Sequence, residues 1–278
     1  MDTPFRALVN GEPRTSIDVR DRGLTFSDGV FETVAVCNGR ALGWDLHMQR
    51  MSDGARRLGL AMPDPLDWGR DAQSLYASES CAILKLILTR GVSEQGYRHR
   101  SGAAPTRIVT LSAWKTRADT WDSGVTVRLC RQTWSRQPAL AGIKHLGRLE
   151  QVLARSEWAD EYAEGLMRDD RGDVISATAA NLFMLVDGML CTPDLSSSGV
   201  CGTVRASIIT IARRLQIPLE VRRIPLTFLV ERAEEVFLTN SLIGVWPVAR
   251  IEGRAYPLGD MTRKLRDELV RQGLVAAS

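Results

Sequence analysis

The chain has 278 residues, 44% of them hydrophobic and 25% charged, which is enough for two modest cores and ordinary for a water-soluble enzyme. Its 36 basic and 33 acidic residues give a net charge of +3 without a long run of either sign, so the electrostatic footprint of a nucleic-acid-binding protein is missing, while a small anionic partner stays open. The five cysteines are scattered with no Cys-x-x-Cys pair, no stretch approaches the ~18 apolar residues of a membrane span, and Met1-Asp2-Thr3-Pro4-Phe5-Arg6 lacks an apolar h-region, so the expectation is a soluble, cytoplasmic protein with reduced thiols and no membrane partner.

Two hairpin signals come first, Asn10-Gly11 and Asn38-Gly39, the second after the β-prone run Phe31 to Cys37. Trp44, Met48, Met51, Ala55 and Leu58 recur at helical spacing and predict a helix that stops before Gly59, and Pro65 suits the first turn of another. Both helices are expected to cover a sheet. Strands are predicted over 82–89, with Ala82, Leu84, Leu86 and Leu88 on one face, and over 107–114. The polar stretch Lys115-Thr116-Arg117-Ala118-Asp119-Thr120 is the predicted linker, dividing an α+β domain at 1–118 from a second domain at 119–278. The second domain opens with an alternating strand at 125–129, followed by a loop at 141–147 and a helix expected from about Arg148 to Tyr162. Two strands around a turn at 169–173, a strand at 181–186 before Asp187-Gly188, a helix over 203–215, strands near Leu219 and Val236, and a helix over 258–272 complete it.

Lys144 sits where a glycine-bearing loop, Ala141-Gly142-Ile143-Lys144, runs into an amphipathic segment, with His145 and Arg148 as cationic neighbours. A reactive amine needs such a setting, because it must be neutral often enough to attack a carbonyl. Taken alone, the same position also suits a solvated lysine at a helix start. Gly199-Val200-Cys201-Gly202-Thr203-Val204-Arg205 is a flexible loop leading into a helix, whose N–H groups and dipole suit an anion, though a plain helix start fits it too. The histidines His47, His99 and His145 lie far apart with no metal-ligand spacing, so no metal site is expected.

Ala141 to Ser156 resembles the Schiff-base segment of the class IV aminotransferases, enzymes of pyridoxal 5'-phosphate (PLP) fold type IV. The resemblance extends through Val9-Asn10-Gly11, Asp21-Arg22-Gly23-Leu24-Thr25-Phe26-Ser27-Asp28-Gly29-Val30-Phe31-Glu32-Thr33, His47-Met48-Gln49-Arg50-Met51, Asn240-Ser241 and Pro247-Val248. It implies a two-domain α+β fold like that of the branched-chain and D-amino acid aminotransferases, a homodimer, and Lys144 as the catalytic, cofactor-carrying lysine. It also implies that Arg50, the Gly202-Thr203-Val204 turn and Ser241 bind the cofactor phosphate and that Asn181 is a cofactor-binding residue. Where the family pattern Glu-x-x-x-x-Asn-(Leu/Val)-Phe puts a glutamate on the ring nitrogen, this chain has Ser176, which cannot supply a negative charge to hold a pyridinium. The resemblance points most toward the branch that converts 4-amino-4-deoxychorismate to 4-aminobenzoate and pyruvate, a small dicarboxylate substrate for which Tyr97, Arg98 and Arg107 are the expected binding residues. Arg100 is a further candidate, and Gly147 stands where asparagine is common in that branch. The alternatives are a transaminase acting on D-amino or branched-chain amino acids and a non-catalytic metabolite-binding relative.

Overall fold

The computed structural model describes residues 5–93, 96–98, 102–114 and 120–277. Two compact units emerge: Met1–Lys115 together with Ile143–Gly147, and Thr116–Gly142 together with Arg148–Ser278. Lys115 to Asp119, where the linker is predicted, lie outside the described residues, as do His99 and Arg100.

The first unit contains β1 (Arg6–Val9), β2 (Glu12–Pro13), α1 (Arg22–Phe26), β3 (Gly29–Cys37), β4 (Arg40–Ala41), α2 (Trp44–Leu58), α3 (Pro65–Tyr76), β5 (Cys81–Thr89) and β6 (Thr106–Ala113). Among the described residues its strands form one antiparallel sheet in the order β2-β1-β6-β5-β3-β4. Asn10 and Gly11 both take positive φ at the β1–β2 turn, and Asn38 and Gly39 do so at the β3–β4 turn, as two-residue hairpins of matching twist require. Gly59 ends α2 in the left-handed conformation, and Pro65 occupies the first turn of α3 behind the Asp64 cap. Met51 and Ala55 of α2 and Trp68, Ala72 and Leu75 of α3 pack on Leu84, Leu86, Leu88, Val109 and Leu111, so both helices cover one face of the sheet.

The second unit contains α4 (Thr120–Ser123), β7 (Val125–Leu129), α5 (Leu149–Arg155), β8 (Glu164–Arg168), β9 (Val174–Ala177), β10 (Asn181–Val186), β11 (Met189–Pro193), α6 (Thr203–Arg214), β12 (Leu219–Arg222), α7 (Leu226–Arg232), β13 (Glu235–Asn240), β14 (Gly244–Ile251), β15 (Arg254–Ala255) and α8 (Asp260–Arg271). Its mixed sheet runs β12-β11-β10-β13-β14-β7-β8-β9, with β15 added on β14. β10 and β13 are buried on both faces. Leu182, Met184, Val236 and Leu238 enter one core, while Phe183 and Phe237 stack at 5.1 Å in another that α6 and α8 seal with Ile208, Ile211, Leu265 and Leu269.

The helix expected from Arg148 to Tyr162 ends at Arg155. Ser156 turns its hydroxyl back onto Val152 O at 2.8 Å, and Arg155 donates to Trp158 O at 2.7 Å and Ala159 O at 3.0 Å. That exit brings Trp158 into a cluster with Cys130 and Trp134 and lets Glu157 accept the backbone N–H groups of Arg131 and Gln132. The short α1, α4 and α7 and the strands β11 and β14 lie outside the predicted elements. In β14 a central Pro247 masks the strand pattern, because proline cannot donate to a ladder.

Candidate active site

In the first unit, the segment 143–147 adds to the start of β3: Phe31 N donates to Lys144 O at 3.0 Å and Leu146 N to Gly29 O at 2.9 Å. Residue 29 has to be glycine, since a Cβ there would lie 2.3 Å from Leu88 O and 2.7 Å from Leu146 Cδ1. Lys144 is therefore fixed by backbone pairing to a buried strand. Its side chain is half-buried, with Nζ 4.3 Å from the centroid of the Phe31 ring, and Lys85 Nζ lies 5.2 Å from the same centroid. The Phe31 ring helps to orient the Lys144 amine.

Arg50, on α2, is held by Glu32 of β3. Arg50 Nε donates to Glu32 Oε1 at 2.8 Å, Nη2 donates to Oε2, and His47 Nδ1 lies 2.6 Å from that same Oε2. Glu32 is 1% exposed and His47 2%. Burial by itself would raise the Glu32 pKa, but the Arg50 charge and hydrogen bonds, with His47 behind them, hold it below the usual carboxylate range. Sequence reasoning missed Glu32 and His47 as site residues. The available signals were a carboxylate inside a mostly apolar strand and a His–Arg pair at i, i+3.

The expected substrate residues do not converge. Tyr97 is 87% exposed and lies against Phe26 at 5.5 Å, and Arg98 is exposed as well. Arg22 ties this loop to α1, donating to Ser93 Oγ at 3.2 Å, Gly96 O at 2.8 Å and Tyr97 O at 3.1 Å, while its Nε pairs with Asp28. Asp28 also binds Arg90; burial opposes its ionised form, but the two guanidinium groups keep its pKa lowered. Arg107, by contrast, is buried under α3, paired with Asp71 at 2.8 Å and Asp67 at 3.4 Å, so its charge is committed to the packing of this unit.

In the second unit the remaining candidates meet at one end of the sheet. Ser176 is buried in β9 and its Oγ donates to Ala177 O at 2.8 Å. Asn181, at the start of β10, donates from Nδ2 to Val200 O at 2.9 Å and accepts Gly202 N on Oδ1 at 3.1 Å, which fixes the turn before α6. Gly202 caps α6 with no side-chain hydrogen bond, and Thr203 and Val204 form its buried first turn. Ser241 follows β13 in a turn framed by Asn240, whose Oδ1 accepts Leu242 N at 2.8 Å and Ile243 N at 2.9 Å and whose Nδ2 donates to Ala179 O at 3.0 Å. A residue missed from sequence, Glu164, accepts Thr178 N, Thr178 Oγ1 and Ala179 N and so braces the loop between Ser176 and Asn181. Burial raises the pKa of Glu164 in spite of these bonds. Among the described residues no group of three His, Cys, Asp or Glu side chains could hold a metal ion, and no helix is long and apolar enough to cross a membrane.

The family model for amino-transferase class IV matches residues 29–251. The chain is 34% identical to an aminodeoxychorismate lyase of Vibrio harveyi over 94% of its own length and 98% of that protein's. Among solved structures it is similar to a 4-amino-4-deoxychorismate lyase from Pseudomonas aeruginosa, with a TM-score of 0.89, 40% identity, and 95% and 98% of the two chains covered. A hypothetical aminotransferase from Mycobacterium tuberculosis in a PLP-bound form shares the fold, with a TM-score of 0.79 at 21% identity over 98% and 99% of the chains.

Proposed function

The chain belongs to the class IV aminotransferase family, with the mixed α/β fold of type IV PLP enzymes, and we propose that it is a PLP-dependent lyase converting 4-amino-4-deoxychorismate to 4-aminobenzoate and pyruvate. The observation that carries this reading is the similarity to the Pseudomonas aeruginosa lyase, at 40% identity over nearly the whole of both chains.

The residues present suit PLP. The uncapped first turn of α6 offers backbone N–H groups and the positive end of a helix dipole to a phosphate, and residue 202 is glycine because Asn181 Oδ1, which accepts its N–H, would lie 2.0 Å from a Cβ. By the family resemblance, Arg50 would supply a guanidinium to a phosphate and Ser241 a hydroxyl. When bound, PLP supplies an aldehyde for an amine and a conjugated ring that withdraws electrons from the adjoining carbon. Lys144 would hold the cofactor through its amine and would take the proton from substrate C4. With that proton gone the C3–O bond would break, the enolpyruvyl oxygen leaving with the electron pair as an enolate that takes a proton at its methylene carbon to become pyruvate, while the substrate ring becomes aromatic. Ser176 favours this elimination over transamination, because its neutral hydroxyl offers no charge to a protonated ring nitrogen, and aromatisation supplies driving force that transamination lacks. Tyr97 and Arg98 are the substrate-facing candidates; Arg107 serves the core of its own unit.

Enzymatically generated aminodeoxychorismate, supplied to the purified protein, is expected to yield 4-aminobenzoate and pyruvate in equal amounts, and Lys144→Ala is expected to abolish both. Conversion of an amino donor to its keto acid, with no 4-aminobenzoate formed, would replace the lyase by a transaminase.

A further inference from the structure

Resting on the reading of Arg50 as a phosphate ligand, we propose that Glu32 is a positioning residue: it aims the Arg50 guanidinium at the phosphate and is itself held by His47. Arg50 is a long side chain on a helix surface, and its many rotamers would make an unrestrained guanidinium a poor anion receptor. Glu32 removes that freedom. The carboxylate engages Nε and Nη2 together, which fixes the plane of the guanidinium.

The clamp is itself rigid. Glu32 sits inside β3, paired with Leu86 of β5, and is 1% exposed. His47 lies one turn before Arg50 on α2, is 2% exposed and shares Glu32 Oε2, so the carboxylate cannot follow Arg50 if the latter swings away. The arrangement links a central strand to the face of α2 through a buried ionic contact, where a purely structural need would be met by apolar side chains at lower desolvation cost. The phosphate-binding charge is in this way preorganised by a residue that does not touch the ligand.

The test compares PLP with pyridoxal, which lacks the phosphate, as ligands for the cofactor-stripped full chain, with affinities read from absorbance for wild type, Glu32→Gln and Glu32→Asp. Glu32→Gln keeps the shape but loses the charged fork, and is expected to weaken PLP by about tenfold or more while changing pyridoxal by less than about twofold. Glu32→Asp keeps the charge and loses reach, so it is expected to lie between wild type and Glu32→Gln; it also supplies the answer if Glu32→Gln fails to fold. Equal weakening of both ligands would show a merely structural role, and tighter PLP binding would show that Glu32 only neutralises Arg50; either result overturns the proposal. A wild-type protein that binds PLP no better than pyridoxal would instead remove the phosphate role of Arg50, and a wild-type protein that binds neither would remove the PLP reading with it.

Discussion

Gly202→Ala is expected to destabilise the second unit by breaking the Asn181 tether. Gly202 has φ −63° and ψ 143°, so alanine meets no backbone strain there and the effect is one of close approach alone. The new Cβ would stand 2.0 Å from Asn181 Oδ1 and 3.2 Å from its Cγ, which forces the amide to rotate out and give up both its bonds, to Val200 O at 2.9 Å and from Gly202 N at 3.1 Å. Each bond is worth about 1 kcal/mol net, and a buried amide left unsatisfied adds to that, so the loss should be about 2–4 kcal/mol. Asn181→Ala removes the same two bonds without a clash and should cost a similar amount. The decisive variant is the double one. With Asn181 gone the new methyl has nothing to displace, so Gly202→Ala/Asn181→Ala should be no less stable than Asn181→Ala, a non-additivity of about 2 kcal/mol or more. Urea unfolding followed by tryptophan fluorescence measures all four proteins. Additive losses, or a Gly202→Ala protein within about 0.5 kcal/mol of wild type, would refute the close-approach argument.

Replacing Arg107 by Met leaves Asp71 as an uncompensated buried carboxylate and should cost about 3–5 kcal/mol, seen as a lower midpoint in thermal unfolding; an unchanged midpoint would mean that the pair contributes nothing. The folded-state pKa of Glu32 lies below its unfolded value, so its stabilisation is complete above the unfolded carboxylate pKa and disappears as pH falls through the folded one. The stability gap between wild type and Glu32→Gln should therefore shrink on acidification below the ordinary carboxylate range, and a gap that widens would contradict the sign. Borohydride reduction of the PLP-loaded protein followed by peptide mapping should place the pyridoxyl group on Lys144, and an adduct on Lys85 or Lys264 would reassign the site. Ser176→Glu should raise side transamination relative to lyase turnover, because a carboxylate stabilises a protonated ring nitrogen, and an unchanged ratio would mean that residue 176 does not set that balance.

Local chemistry explains what could be read before the fold was known. The two Asn-Gly turns, the stop at Gly59 and the start at Pro65 depend on φ preferences and capping within a few residues, and the alternation of Leu84, Leu86 and Leu88 depends only on the period of a strand. A glycine-bearing loop before a helix marks Lys144 and the Gly202 turn as candidates in sequence, whereas Arg50 and Ser241 come only from the resemblance to the class IV family. The rest needed partners distant along the chain. Glu32 is 18 residues from Arg50, Asp71 is 36 from Arg107, and Asn181 is 21 from Gly202, and no local pattern couples such positions. For the same reason sequence could propose Arg107 for a substrate carboxylate when its charge is taken by α3, and could extend α5 beyond Arg155 when Glu157 and Trp158 are drawn out of the helix by the 130–134 segment. What the sequence determined by itself is where the backbone turns, which faces are apolar and which residues carry reactive groups. What only the tertiary structure decided is which charges are already neutralised by a buried partner, because pairing energy depends on distance and desolvation, and both are set by the packing of strands and helices that the chain order does not place side by side.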